Sequence, residues 1–420
     1  MPAQWSKNKG FKPDLVINAI AKGASINSNG SAQYSVSNYF EYKSILRSMV
    51  EFTGCSSTSS ETLDKIFDAG LDSFIVSKIN TGTHDKDELL SHINNHVKTY
   101  NKKPKKTFHI VTSISLSAPI PIKKYELKGN EITFYPTGIP KKYLRTRASL
   151  TDLWNCNHSH TPLDYAGVVV SVQARNTIDA FYSAMEFLDF IRGVLSFFAN
   201  PGMSLPLFGR LKGPINRIRL AGMHTIHKPD GSLAVEEYWF ENNESKQKIY
   251  SFDTTKKSAT GRNVRKILKQ TSTIKGSEKI REGIVRYTRA LDESDTDYSI
   301  IKLWGALEST VGENDNSEII IRRCSYLYKD HELVKQILEA SKFYRNRNVH
   351  AGVTSALADS ISYQIHRIFR ALIFFYVGNK DFQSLNEANA FLDSPLLDGD
   401  IDRKIYLLKK AARFRNPEKS

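Results

Sequence analysis

Residues 165–198 read YAGVVVSVQARNTIDAFYSAMEFLDFIRGVLSFF. The first ten, Tyr165 to Ala174, form a continuous run rich in β-branched residues, the composition of a buried strand. From Thr177 the period changes to that of an amphipathic helix, which runs to Phe198 and is closed by Asn200-Pro-Gly202. A strand delivered into a helix points to mixed α+β structure, and the surrounding sequence agrees. Thr107–Leu116 (TFHIVTSISL) alternates and reads as a strand. Lys124–Leu127 and Glu131–Tyr135 flank a Gly129-Asn130 turn, and the β-prone segments 216–228 and 233–241 are separated by Pro229-Asp-Gly231, a hairpin signal.

Upstream, residues 1–105 read as mostly helical. Apolar residues recur at helical spacing from Tyr39 through Ile45, Leu46, Met49, Val50 and Phe52 until Gly54 stops the pattern. Ser60, with Asp64 nearby, suits the cap of a helix over Leu63–Phe67, and another helix is expected from Asp85 to Val97. The charged connector Asn101–Lys106 (NKKPKK) marks a division of this α+β region, 1–250, if it holds two units. Residues 251–273 read as a basic linker: Lys256, Lys257, Arg262, Arg265, Lys266 and Lys269 occur with no acidic residue among them. From 274 to 420 the expectation is all-α, with helices over Glu278–Leu291, Tyr298–Val311, Glu318–Tyr328, Glu332–His350, Leu357–Val377, 384–393 and 401–413.

Composition bounds what such a chain does. Its 420 residues are 40% hydrophobic and 25% charged, which excludes collagen-like and wholly disordered classes. Lys and Arg number 59 against 44 Asp and Glu, a surplus of +15 that calls for a polyanionic partner, nucleic acid before an anionic membrane. Three cysteines, Cys55, Cys156 and Cys324, argue against a disulfide framework and for a reducing compartment. The opening MPAQWSKNKGFKPD has no apolar leader segment. The stretch Ile178–Asn200 is interrupted by Glu186, Asp189 and Arg192, so it fails as a membrane span, and Ala371–Val377 falls far short of the roughly 20 residues a bilayer needs. A cytoplasmic location without membrane contact is expected.

The segment richest in chemistry is Ser341–Gly352, SKFYRNRNVHAG. The helix before it carries Val334, Ile337, Leu338, Ala340 and Phe343, read as core-facing, and Gly352 is a helix stop. Asn346 and His350 lie one turn apart on one face, whereas Arg345 and His350 are about 140° apart. Those two converge on one phosphate only where the helix loosens or a second subunit supplies half the site. Arg347, three residues before His350, aligns with it more easily. Histidine titrates near neutrality and moves protons, and arginine presents a planar fork to phosphate oxygens.

Arg345-Asn346-x-x-x-His350, with Tyr344 before it and Ala351-Gly352 after it, resembles the R-x4–6-H signature of HEPN-domain ribonucleases, the Apea-like group in particular. Ile301–Glu308 (IKLWGALE) is similar to that family's upstream helix ending in Glu. The resemblance covers roughly residues 277–380, about a quarter of the chain. It implies an antiparallel helical bundle that forms homodimers and cuts RNA without metal or cofactor. It further implies His350 as general acid/base, Arg345 as the clamp on developing phosphate charge and Asn346 as positioner, with Tyr344, Arg347 and Glu308 in support. The family's spacing favours Arg345, ideal-helix geometry favours Arg347, and the choice stays open here. Expected products are a 2′,3′-cyclic phosphate and a 5′-OH, and the setting implied is bacterial defence of the abortive-infection type, or a toxin. Residues 1–250 would then sense a trigger or a regulatory protein that restrains the nuclease. Lys141, Lys142, Arg145 and Arg147 in the run 141–147, Arg262, Arg265 and Lys266 further on, and the run 102–106 are candidate RNA contacts, and Tyr143 a candidate for stacking on a base.

Each of these has a plainer counterpart. Basic residues near a helix C-terminus are favoured by the dipole. Glu308 also suits an ion pair with Arg322 or Arg323. Gly276-Ser277 with Ser294-Asp-Thr-Asp297 resembles the G-S…S-D-x-D of minimal nucleotidyltransferases, yet 278–291 has helical period and 294–297 reads as a cap. Cys156, His158 and His160 with His224 and His227 lack a standard zinc spacing. Phe369, Phe374, Phe375 and Tyr376 read as bundle core or dimer interface. No phosphate-cradling loop, nucleophile elbow or H-E-x-x-H occurs. The rival functions are an inactive HEPN-like RNA-binding or scaffolding protein, and a nucleotide-binding regulatory module using Arg345 and Arg347.

Overall fold

The computed structural model describes residues 2–34, 38–54, 58–78, 85–154, 164–203, 213–241, 249–311, 316–351 and 357–415. Its elements in chain order are β1 (Ala3–Trp5), α1 (Pro13–Lys22), β2 (Ala24–Ile26), β3 (Ala32–Tyr34), α2 (Tyr39–Ser48), β4 (Val50–Phe52), α3 (Ser60–Lys78), α4 (Lys86–Lys102), β5 (Lys106–Ile114), β6 (Leu116–Ser117), β7 (Lys124–Leu127), β8 (Asn130–Tyr135), α5 (Lys141–Leu153), β9 (Ala166–Ala174), α6 (Thr177–Ala199), β10 (Leu220–His227), β11 (Leu233–Glu241), β12 (Tyr250–Ser251), α7 (Lys257–Thr273), α8 (Ser277–Leu291), α9 (Thr296–Val311), α10 (Ser317–Ser325), α11 (His331–Ala351), α12 (Ala358–Gly378), α13 (Leu385–Leu392) and α14 (Asp398–Arg415). Six strands are hydrogen-bonded in the order β11-β10-β5-β9-β8-β7. The N-terminal half is thus mixed and sheet-containing, and the C-terminal half is helical. No helix among the described residues is long and apolar enough to cross a membrane.

Contacts divide the chain into two compact units, one of residues 1–110, 170–185 and 225–238, the other of 111–169, 186–224 and 239–420. These boundaries differ from the sequence-based division at 250 and 274, because sheet strands distant in sequence pack together.

In the first unit, α3 and α4 lie on a core that includes Ile17, Ile20, Leu46, Phe67, Leu71, Phe74 and Ile93. A Cβ on Gly70 would stand 2.6 Å from Ile93 Cγ1 and 2.8 Å from its Cα, so only glycine permits this helix approach. The helical period expected to reach Phe52 ends at Ser48: Val50 and Phe52 instead pair antiparallel with Trp5 and Ala3. Their alternation serves a strand as well as a helix, and the pairing decides between them. Ser59, not Ser60, caps α3, its hydroxyl accepting from the Thr62 N–H at 3.2 Å, and the helix extends to Lys78.

In the second unit, the β7–β8 hairpin turns on Lys128-Gly129, both at positive φ (52° and 81°), one residue earlier than expected. α8 packs closely on α9, and a Cβ at Gly283 would overlap Thr310 Oγ1. Gly283→Val is expected to destabilise the protein by about 1–3 kcal/mol. A urea-denaturation double-mutant cycle with Thr310→Ala should recover part of that loss.

Of the aromatic group on α12, Phe369 and Tyr376 are buried in this unit's core, and Phe374 and Phe375 are half-buried. Phe369 stacks on Tyr287 with centroids 4.7 Å apart, Phe374 meets Phe197 at 5.8 Å, and Phe375 meets Phe382 at 5.5 Å. The Tyr287 hydroxyl lies 2.7 Å from His366 Nδ1. Desolvation, and after it Arg370, pushes His366 down to about 4. The unfolded chain therefore binds a proton below pH 6.5 that the folded chain refuses, so this contribution to stability is full above pH 6.5 and is lost as pH falls toward 4. Urea titrations between pH 7 and 4.5 should show a loss of up to about 1.4 kcal/mol per pH unit from this residue, absent in His366→Gln.

Buried charge is concentrated around Arg192. Its Nη2 lies 2.5 Å from Asp189 Oδ1 and 2.8 Å from Asp292 Oδ2, and its Nη1 donates to Ile218 O at 2.9 Å. Arg289 Nε donates to Asp189 Oδ2 at 2.8 Å, and Asn216 Nδ2 to Asp292 Oδ1 at 2.8 Å. Burial works against the guanidinium charge, but Asp292 and Asp189 more than offset it and hold Arg192 protonated.

Three expectations for the basic runs are corrected. Residues 257–273, read as linker, form the seventeen-residue α7, with Gly261, Val264, Ile267, Leu268 and Thr271 buried. Arg147, grouped with solvent-facing cations, is buried on α5 and donates to Val111 O at 2.9 Å and Met223 O at 2.8 Å, so it is not an RNA contact. Burial lowers it to about 10. Tyr143 is likewise buried and offers no face for a base, while Lys142 Nζ sits 4.7 Å over its ring.

Candidate functional site

α11 carries the basic cluster, and its inward stripe differs from the expected one. Val334, Leu338 and Ser341 are buried, at spacings of four and three, whereas Ala340 is exposed and Phe343 is 63% exposed. The next step of that stripe is Arg345. Burial of Val334 and Leu338 therefore fixes which arginine turns inward.

Arg345 meets α9. Its Nη2 stands 3.6 Å from Glu308 Oε1, and its Nη1 donates to Asn346 Oδ1 at 3.1 Å. Its Nε is buried and has no hydrogen-bond partner among the described residues. At 3.6 Å the Glu308 pair is an ion pair without a hydrogen bond. For half-exposed groups such a pair is worth at most about 1 kcal/mol. It orients the guanidinium, whose Nη2 makes no hydrogen bond among the described residues. Arg322 and Arg323, the plainer partners for Glu308, both engage Asp393 instead, at 2.5 and 2.7 Å.

Arg347 is exposed and lies 5.6 Å over the Phe343 ring, one turn back on the same helix. The two arginines thus face different surroundings, and the acid stands with Arg345. Tyr344 donates to Asp297 Oδ1 at 2.5 Å, so adjacent residues of α11 reach the first and last turns of α9. Asp297 was absent from the sequence-based set. Its pairing spans 47 positions and leaves no local signal. Asp295 caps α9, accepting from the Asp297 N–H at 2.8 Å, in line with the reading of 294–297. The His350 backbone continues α11 one turn beyond Asn346; its side chain, and Gly352, lie outside the described residues.

Other candidate residues are placed elsewhere. Lys141, Lys142 and Arg145 sit on the first turns of α5, all exposed. On α7, Arg262, Arg265, Lys266 and Lys269 are exposed and fall within about 100° of arc, opposite the buried face. None of these four is ion-paired among the described residues, so they form one basic strip. His224 is buried with Nδ1 2.6 Å from Thr112 Oγ1, and desolvation, then Arg147, lowers it to about 3. His227 is buried between Gly231 O at 3.1 Å and Thr225 Oγ1 at 2.8 Å. Cys156, His158 and His160 lie outside the described residues, and among those described no group of three or more His, Cys, Asp or Glu is arranged to hold a metal.

Comparison with family models, with curated proteins and with solved structures finds no match to this chain.

Proposed function

We propose that the chain is an HEPN-type endoribonuclease whose site is built on the C-terminal turns of α11. The observation that carries this reading is Arg345: a guanidinium turned inward beside Glu308 and Asn346, its Nε without a hydrogen-bond partner among the described residues. The basic strip of α7 adds a surface suited to a phosphate backbone.

In this mechanism the RNA supplies its own nucleophile. The 2′-oxygen attacks the adjacent phosphorus, an imidazole takes the hydroxyl proton, and the P–O5′ bond breaks as an imidazolium returns a proton to the leaving oxygen. The products are a 2′,3′-cyclic phosphate and a 5′-hydroxyl. His350 serves the proton transfers, as a residue titrating near neutrality can. Arg345 stabilises charge growing on the non-bridging oxygens, and Glu308 and Asn346 set its direction. Two copies of the chain would supply two imidazoles, one for each transfer. Cytoplasmic defence or toxin action, held in check through residues 1–250, follows from the resemblance.

The test is an end-labelled RNA incubated with the full chain in EDTA. Cleavage to cyclic-phosphate ends, with an all-2′-deoxy strand left intact, supports the proposal. Binding without cleavage, alone or with cell extract, replaces it by the RNA-binding or scaffolding reading. A strict requirement for a divalent cation replaces it by a metal-dependent nuclease.

A further inference from the structure

Among the described residues, α14 is the helix that the fold covers least. None of its eighteen residues is buried, and Leu397 just before it, Ile405 and Leu408 are 69%, 44% and 62% exposed. A helix of this length is marginal in water without a packed face. At 100° per residue Leu397, Ile401, Ile405, Leu408 and Ala412 fall within about 80° of arc, the longest apolar stripe of the helix, with exposed Leu407 and Phe414 on a second, shorter arc. Such a stripe needs an occupant, and the charges beside it say which.

Asp398, Asp400 and Asp402 stand in the first turns, and Lys409, Lys410, Arg413 and Arg415 in the last. On the flank next to the stripe, Asp398, Lys409, Asp402 and Arg413 follow one another within about 60°. A parallel neighbour of the same sequence would set aspartate against aspartate and cation against cation. An antiparallel neighbour sets Leu397 opposite Ala412 and Ile401 opposite Leu408, with Asp398 and Asp402 opposite Lys409 and Arg413 of the second copy. Three aspartates at one end suit an anionic lipid surface poorly. We infer that α14 is a self-association helix, pairing antiparallel with α14 of a second copy of this chain. The inference goes beyond RNA cleavage and does not depend on it, since it concerns oligomeric state alone.

Sedimentation velocity on the full chain tests it. Wild type is expected to be dimeric at micromolar concentration, and Ile405→Asp/Leu408→Asp monomeric. Asp398→Lys/Asp402→Lys alone, and Lys409→Asp/Arg413→Asp alone, should each weaken the dimer tenfold or more. An equimolar mixture of these two variants should form heterodimers, because every facing pair is again of opposite sign; misfolded variants could not do this. A wild type monomeric at tens of micromolar, a dimer unaffected by the apolar substitutions, or a mixture that stays monomeric overturns the inference. A monomeric wild type that pellets with phosphatidylserine vesicles overturns it too, and assigns the stripe to a membrane surface.

Discussion

Replacing His350 by Ala is expected to slow RNA cleavage by about 10²–10⁴-fold while RNA affinity stays near that of the wild type. The reason is chemical. Removing the imidazole removes the proton carrier but none of the charge that holds the phosphate backbone. Arg345→Lys should behave differently from Arg347→Lys, although both keep the charge. Lysine lacks the planar fork, and beside Glu308 the loss of one directed donor costs about 10²-fold. Arg347, stacked over Phe343 and exposed, should tolerate the change with little effect. Single-turnover rates and filter-binding affinities for the three variants decide the matter. Wild-type cleavage by His350→Ala, or a larger loss at position 347 than at 345, would remove the assignment.

Arg192→Met should cost about 3–5 kcal/mol of folding stability, read as a lower urea midpoint. Methionine fills much of the same volume, so the loss is electrostatic: Asp189 and Asp292 would remain partly or wholly buried with their main counter-charge gone. Adding Asp189→Asn and Asp292→Asn should restore most of that loss. Once no uncompensated charge remains, the neutral site needs only hydrogen bonds. Were the single and triple variants equally unstable, packing rather than charge would be the cause.

These residues also show what a reader of the sequence sees and misses. Asp189 and Arg192 were legible only as interruptions in an apolar stretch; that they form a network follows from Asp292, a hundred positions from Arg192. The strands from Lys106 and Ala166 and most helices after Ser277 were legible because hydrophobic period is a local property. α7 was not, because its cations dominate the composition. The signal that would have found it is the spacing of Val264, Ile267, Leu268 and Thr271, which one buried face satisfies. Arg147 shares its run with Lys141, Lys142 and Arg145, and only the carbonyls of Val111 and Met223, far off in sequence, separate it from them. At the candidate site, the resemblance pointed to Glu308 and Arg345 together, and their contact is seen at 3.6 Å. Which of Arg345 and Arg347 turns inward follows from the buried stripe of α11, which Phe343 had obscured: it reads as core and faces solvent.

The recasting of residues 257–273 from tether to rod changes what that segment can select. A flexible basic tail adjusts to any polyanion and surrenders chain entropy each time it does so. Cations fixed at helical intervals have no such freedom and no such loss. A strand whose phosphates fall in step with Arg262, Arg265, Lys266 and Lys269 meets them all at once, and one with a different pitch meets only some. On the proposed reading, the segment would discriminate by geometry where a tail would respond to charge density alone.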